Sequence, residues 1–301
     1  MSTLSYVVRA DRWDAVAALA TCLARQAEPD RIELLVVSHS RFAVPAGAIA
    51  PPTRVLVVAA STSWAASLEL GVREAAAPVV ALGETHVLLS PGWASAVLHA
   101  HDRGADVVLP EIVNANPRSP LSAAAFAMDY GRYGPGCSTS TAVPTYNATF
   151  RRSLLLGDCS LRTRLVPGPA LDASLRSRGG VVACAPSAVV AHFNIGRPLP
   201  WADESVIAGL LMARARRVGW SRPRAALYAA AFPAIAVVLF RRAHAELRDG
   251  ILPGTTALLA VRCLLYAVGE ALGYLGAPSA ARAARMERYE MDKCLYIGRA
   301  A

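Results

Sequence analysis

Over the first two hundred positions, short apolar runs alternate with stretches of helical periodicity. Residues 4–8 form one such run and predict a strand; 13–25 predict a helix with Val16, Leu19, Cys22 and Leu23 on one face. The run at 32–37 (IELLVV) is apolar throughout, as a parallel strand covered on both faces must be. Strands follow at 54–59, 79–82 and 107–109, separated by helices at 64–76 and 93–101, the last opened by Pro91-Gly92. This β-α-β-α rhythm predicts an α/β fold with a doubly wound, mostly parallel sheet.

Ligands of such sheets bind beyond the carboxyl ends of the strands. Topology alone therefore singles out Arg9-Ala10-Asp11, Ser38-His39-Ser40 and Gly83-Glu84-Thr85-His86. Polar residues after strands also serve simply as turn formers, which is the alternative at each position.

After Trp201 the pattern changes. Asp203 and Glu204 suit the start of a helix, which ends among Arg214, Arg216 and Arg217. Residues 225–240 are apolar, but sixteen residues containing Pro233 fall short of the roughly 20 that a span requires. Residues 251–277 are longer and are interrupted by Arg262 and Glu270. Arginines flank 225–240 on both sides, so no inside–outside bias arises. A shallow helical hairpin lying in a membrane interface fits this pattern, with a buried helical subdomain as the alternative. The expected division is a domain over 1–200 and a helical, membrane-associated region over 201–301.

Composition sharpens this division. The apolar set makes up 54% of the 301 residues, charged residues 18%, and the mean hydropathy is +0.35. That excess points to contact with lipid or a large partner. A net charge of +9 favours anionic partners, and the arginines gather at 212–224, 241–248 and 280–288 beside apolar segments. No aromatic-basic nucleic-acid motif accompanies them, so no nucleic-acid partner is expected. Lys293 is the sole lysine. Six cysteines without CxxC spacing read as free thiols of a reducing compartment rather than a zinc site. The first residues lack the basic-then-apolar pattern of a signal peptide, and the sequon at Asn147 is then accidental.

The order of motifs over residues 4–200 resembles the family 2 glycosyltransferases of the GT-A fold. VVRADRW (7–13) stands where that family opens, VVSHS (36–40) follows, and LELGVREAAAPVVAL lies around Gly71. GETHVLLSPGW (83–93) occupies the place of the metal-binding DxD motif, with Glu84-Thr85-His86 similar to an E-x-H version of it. PTYNATFRRSLL (144–155), LDASLRSRGG (171–180) and PSAVVAHFN (186–194) resemble later motifs, and GEALGYLGAP (269–278) looks like tails of membrane-associated members.

The resemblance implies an inverting transfer of sugar from a nucleoside-diphosphate donor, UDP- or GDP-linked, to a lipid-linked or other glycan acceptor at the cytoplasmic face of the cell membrane. Such chemistry calls for a divalent ion, Mn²⁺ or Mg²⁺, against the leaving diphosphate. Glu84 and His86 can point at one ion, and the late histidine, His192, supplies a third ligand. Arg9, Asp11, Ser38, His39 and Glu84 are then expected on the nucleotide-sugar side, and Asn147 and Trp201 on the acceptor side. The family's catalytic acid pair falls at Pro167-Gly168 here, so Asp172 becomes the substitute base and Asp158 a weaker one. The missing acids also allow a catalytically silent, glycosyltransferase-like scaffold at the membrane. A dinucleotide-dependent oxidoreductase is disfavoured, because no glycine-rich turn follows the first strand.

Overall fold

The apolar runs form the strands their continuity predicts. In the computed structural model, which describes residues 3–157, 161–165, 170–247 and 252–298, β1 (Leu4–Arg9) and β2 (Ile32–Ser38) are buried along their whole length. Between them lies α1 (Trp13–Ala24). β3 (Thr53–Val57) pairs with β2 and closes one edge of the sheet, so its side chains are only partly covered. Next come α2 (Trp64–Glu74), β4 (Val79–Leu82), β5 (Val87–Leu89), α3 (Trp93–Asp102) and β6 (Val107–Asn114). They are followed by α4 (Pro120–Asp129), β7 (Thr149–Arg151), α5 (Arg152–Leu156), α6 (Leu161–Arg164), α7 (Ala170–Ser177) and β8 (Val182–His192). The helices α8 (Pro198–Arg216), α9 (Arg222–Ala230), α10 (Phe232–Ala245), α11 (Thr255–Tyr274) and α12 (Ala280–Met291) complete the chain.

The sheet runs β3-β2-β1-β4-β7-β6-β8-β5. It is parallel from β3 to β4, the stretch whose helices alternate with strands. β7 then inserts antiparallel between β4 and β6, and β5 pairs antiparallel with β8. The parallel character thus holds for the first half and gives way to mixed pairing where long connections replace the β-α-β rhythm. Close packing of α2 on this half depends on Gly71, where a Cβ would lie 2.3 Å from Val7 Cγ1.

The chain divides into two compact units, Met1–Val113 with Tyr133–His192, and Asn114–Arg132 with Phe193–Ala301. Val7, Leu35, Leu68, Val80, Leu82 and Phe150 centre the core of the first. In the second, α4 contributes Ala124 and Ala125 to a core with Ile195, Trp201, Leu259 and Cys263. The segment 114–132 therefore belongs with the helices, although it precedes them by some sixty residues.

Within the second unit, α8 and α11 cross at glycines. A Cβ on Gly209 would lie 2.0 Å from the Tyr266 carbonyl oxygen, and one on Gly269 would lie 2.1 Å from that of Val206. The charges that interrupt the apolar 251–277 stretch face this crossing. Arg262 pairs with Asp129 at 2.7 Å and Glu204 at 3.2 Å, and Glu270 pairs with Arg216 at 2.8 Å. α11 has the length and apolarity of a span, with a mean hydropathy of 1.5, yet 39% of it is buried. α9 and α10 meet at a 60° bend.

Candidate metal centre

β4 ends at Leu82, and the next four residues form the turn into β5. Glycine is required at its start, because a Cβ on Gly83 would sit 1.9 Å from the Tyr6 ring. Glu84 and His86 follow on this turn, and both are buried. The antiparallel register of β5 and β8 sets Val87 opposite His192, which brings the last residue of β8 beside His86. His86 Nε2 and His192 Nε2 are 3.1 Å apart. Glu84 Oε1 lies 3.7 Å from the first and Oε2 3.3 Å from the second.

Two imidazole nitrogens and a carboxylate thus converge in a site where all three side chains are at most 5% exposed. In a shared coordination shell, bonds of about 2.0–2.2 Å put neighbouring donor atoms about 3.0–3.5 Å apart; the separations of 3.1 and 3.3 Å fall in that range, and that of 3.7 Å lies just beyond it. The group can hold a metal ion. A mixed nitrogen and oxygen donor set suits a borderline divalent ion better than Mg²⁺, which prefers oxygen ligands.

Asn147, expected on the acceptor side, lies beside Glu84. Among the described residues it is the non-glycine residue with φ in the left-handed region, at 66°, and it is 3% exposed. Its N–H donates to the Leu82 carbonyl at 2.7 Å, and its Nδ2 donates to Glu84 Oε2 at 2.6 Å. The side chain orients a candidate ligand. The signal was available: asparagine tolerates the left-handed region better than most residues. Tyr6 completes the surroundings of Glu84. Burial and then the Glu84 charge push its phenol well above the ordinary value of 10, so it stays protonated.

The other strand ends form a second cluster. Asp11 Oδ1 accepts from the His39 N–H at 2.7 Å and from Ser38 Oγ at 3.1 Å, tying the end of β1 to that of β2. Arg9, 1% exposed, reaches the His39 ring at 2.7 Å and lies 5.1 Å from the centre of the Trp64 ring. Arg9, Asp11, Ser38 and His39 are therefore brought together, and Trp64, which the sequence did not single out, joins them.

Asp172, on α7, accepts from the Val143 N–H at 3.0 Å and from Arg176 Nε at 2.8 Å, both through Oδ1. These bonds fasten the loop before Asn147. Asp158 and Pro167-Gly168 lie outside the described residues. Trp201, expected on the acceptor side, is 3% exposed in the core of the second unit, its Nε1 donating to the Leu121 carbonyl at 3.0 Å. Its large apolar ring is used for packing.

No family model and no curated protein matches the chain. Among solved structures it is similar to S. aureus TarS 1-349 in complex with UDP, at TM-score 0.45 and 14% identity over 91% of this chain and 92% of that one. Two further structures of S. aureus TarS 1-349, one without a named ligand and one with UDP-GlcNAc, give TM-scores of 0.44 and 0.43 at 12% identity over the same shares. Likeness at this level does not assign a function to this chain.

Proposed function

We propose that the protein is an inverting glycosyltransferase using a nucleoside-diphosphate sugar and a divalent ion, with a lipid-linked or membrane-proximal glycan acceptor. The convergence of Glu84, His86 and His192 beyond the strand ends of a GT-A-like sheet is the observation that carries this reading. An ion held by these residues would offset the negative charge growing on the leaving diphosphate. Mn²⁺ suits the donor set better than Mg²⁺.

Asn147 would hold the Glu84 carboxylate in place. Arg9, Asp11, Ser38 and His39 would bind the nucleotide, with the Arg9 guanidinium supplying positive charge and Trp64 an aromatic face. Asp172 is assigned as the base that accepts the acceptor hydroxyl's proton. The exposed apolar surface of the helical unit would hold the enzyme at the cytoplasmic face of the cell membrane. The two hydrogen bonds already held by Asp172 Oδ1 favour the alternative, a catalytically silent scaffold.

Calorimetric titration of UDP and GDP, with and without Mn²⁺, tests the reading. Metal-dependent binding that disappears in Glu84→Ala and His86→Ala is expected, and the better ligand names the nucleotide. No binding of either by folded protein would leave the scaffold. Asp172→Asn should abolish turnover while keeping nucleotide binding; retained turnover would return Asp172 to loop anchoring.

A further inference from the structure

Two thiols in the first unit face each other outside the candidate metal centre. Cys137 Sγ and Cys184 Sγ are 3.4 Å apart, both partly buried against the core of that unit. Cys137 lies in the loop that ends at Asn147, and Cys184 lies on β8, which ends at His192. We propose that Cys137 and Cys184 close to a reversible internal disulfide, a modification site that ties this loop to β8.

The sulfurs must approach from 3.4 Å to about 2.0 Å for the bond to form. Gly134, Pro135 and Gly136 precede Cys137, and Gly136, at φ 85° with open space around its Cα, lets the chain adjust there. Beyond Cys137 the loop is held by Arg176, which donates to the carbonyls of Thr139 and Thr141 at 3.0 and 2.9 Å, and by Asp172. The movement is therefore confined to the glycine side.

A small disulfide such as oxidised glutathione supplies the oxidant. Burial and then the neighbouring Cys137 push the Cys184 thiol up to about 12, so it stays protonated and attack begins at Cys137. The Cys137 thiolate displaces one glutathione thiolate, forming a mixed disulfide. Cys184 then gives its proton to solvent and attacks the Cys137 sulfur, releasing the second glutathione. Two electrons pass from the protein thiols to glutathione disulfide, which leaves as two thiols.

The test treats the full native chain with oxidised glutathione, alkylates the remaining thiols and reads intact mass and a peptide map. The expected product carries a Cys137–Cys184 cross-link, has a mass about 2 Da below the reduced protein before alkylation, and reverts with dithiothreitol. Cys137→Ser and Cys184→Ser should each lose the cross-link, whereas Cys22→Ser should keep it. Chymotryptic cleavage within 134–147 should slow several-fold on oxidation. A stable glutathione adduct at either cysteine, a cross-link to another cysteine, or closure only in denaturant would overturn the proposal. These readouts do not depend on whether the chain transfers sugar.

Discussion

Asn147 carries more of the candidate site than its sequence position suggests. Its backbone occupies the left-handed region and its side chain holds Glu84, so the two contributions can be separated. Asn147→Gly keeps the backbone conformation and removes the hydrogen bond; Asn147→Ala removes the bond and adds about 1–2 kcal/mol of backbone strain. Both variants should weaken Mn²⁺ binding about 10–100-fold, as loss of an orienting partner does. Only the alanine variant should also show a clearly lowered melting temperature. Titration followed by electron paramagnetic resonance, alongside thermal unfolding, checks both. Unchanged Mn²⁺ affinity in Asn147→Gly would remove Asn147 from the site. At this scale the sequence singled out Glu84, His86 and His192, which the fold brings together, but not the residue that holds one of them, because its partner is sixty-three positions away.

The helical elements show how few residues set a crossing. Gly209 and Gly269 lie against backbone atoms of the facing helix, where no side chain can yield. Gly269→Ala should cost about 1–3 kcal/mol, the usual penalty for overpacking, read as a lower urea midpoint. Gly92→Ala is the matched control, since its Cβ would meet nothing within 4 Å and its φ is −96°. Equal midpoints for the two variants would contradict the close crossing of α8 and α11. Periodicity made β1–β4, β6 and the helices α1–α3 legible, and the helix Trp13–Ala24 and strand Val79–Leu82 fall where the apolar pattern put them, but the three-residue β5 was not anticipated. β7 was not legible: three residues, Thr149–Arg151, carry too short a pattern, and their pairing with β4 and β6 is long-range.

For the whole molecule, the charge of +9 and the apolar excess act together on the helical unit. Leu227, Val237, Val238, Val261 and Leu264 are 46–67% exposed on α9, α10 and α11. Exposed Arg222, Arg224, Arg241 and Arg242 border them. This combination suits an anionic bilayer surface, where each arginine adds about 1 kcal/mol. The protein should sediment with phosphatidylglycerol vesicles, bind phosphatidylcholine vesicles far more weakly, and release as salt rises. The double variant Arg241→Gln, Arg242→Gln should lower partitioning about 30-fold, from roughly 2 kcal/mol lost. Equal binding to neutral vesicles would refute the electrostatic part, and no binding to either would refute membrane association.

The sequence by itself determined the β-α-β beginning, the strand-end positions where polar side chains cluster, and the apolar, arginine-edged character of the last hundred residues. These are local properties, written in periodicity and composition. Tertiary structure alone decided that β8 lies beside β5, so that His192 meets His86, and that Asn147 holds Glu84. It also decided that segment 114–132 packs among the helices, that Trp201 fills a core, and that Arg262 and Glu270 are buried pairs rather than interruptions. Each of these depends on residues tens of positions apart meeting through sheet register or helix packing, which no local pattern encodes.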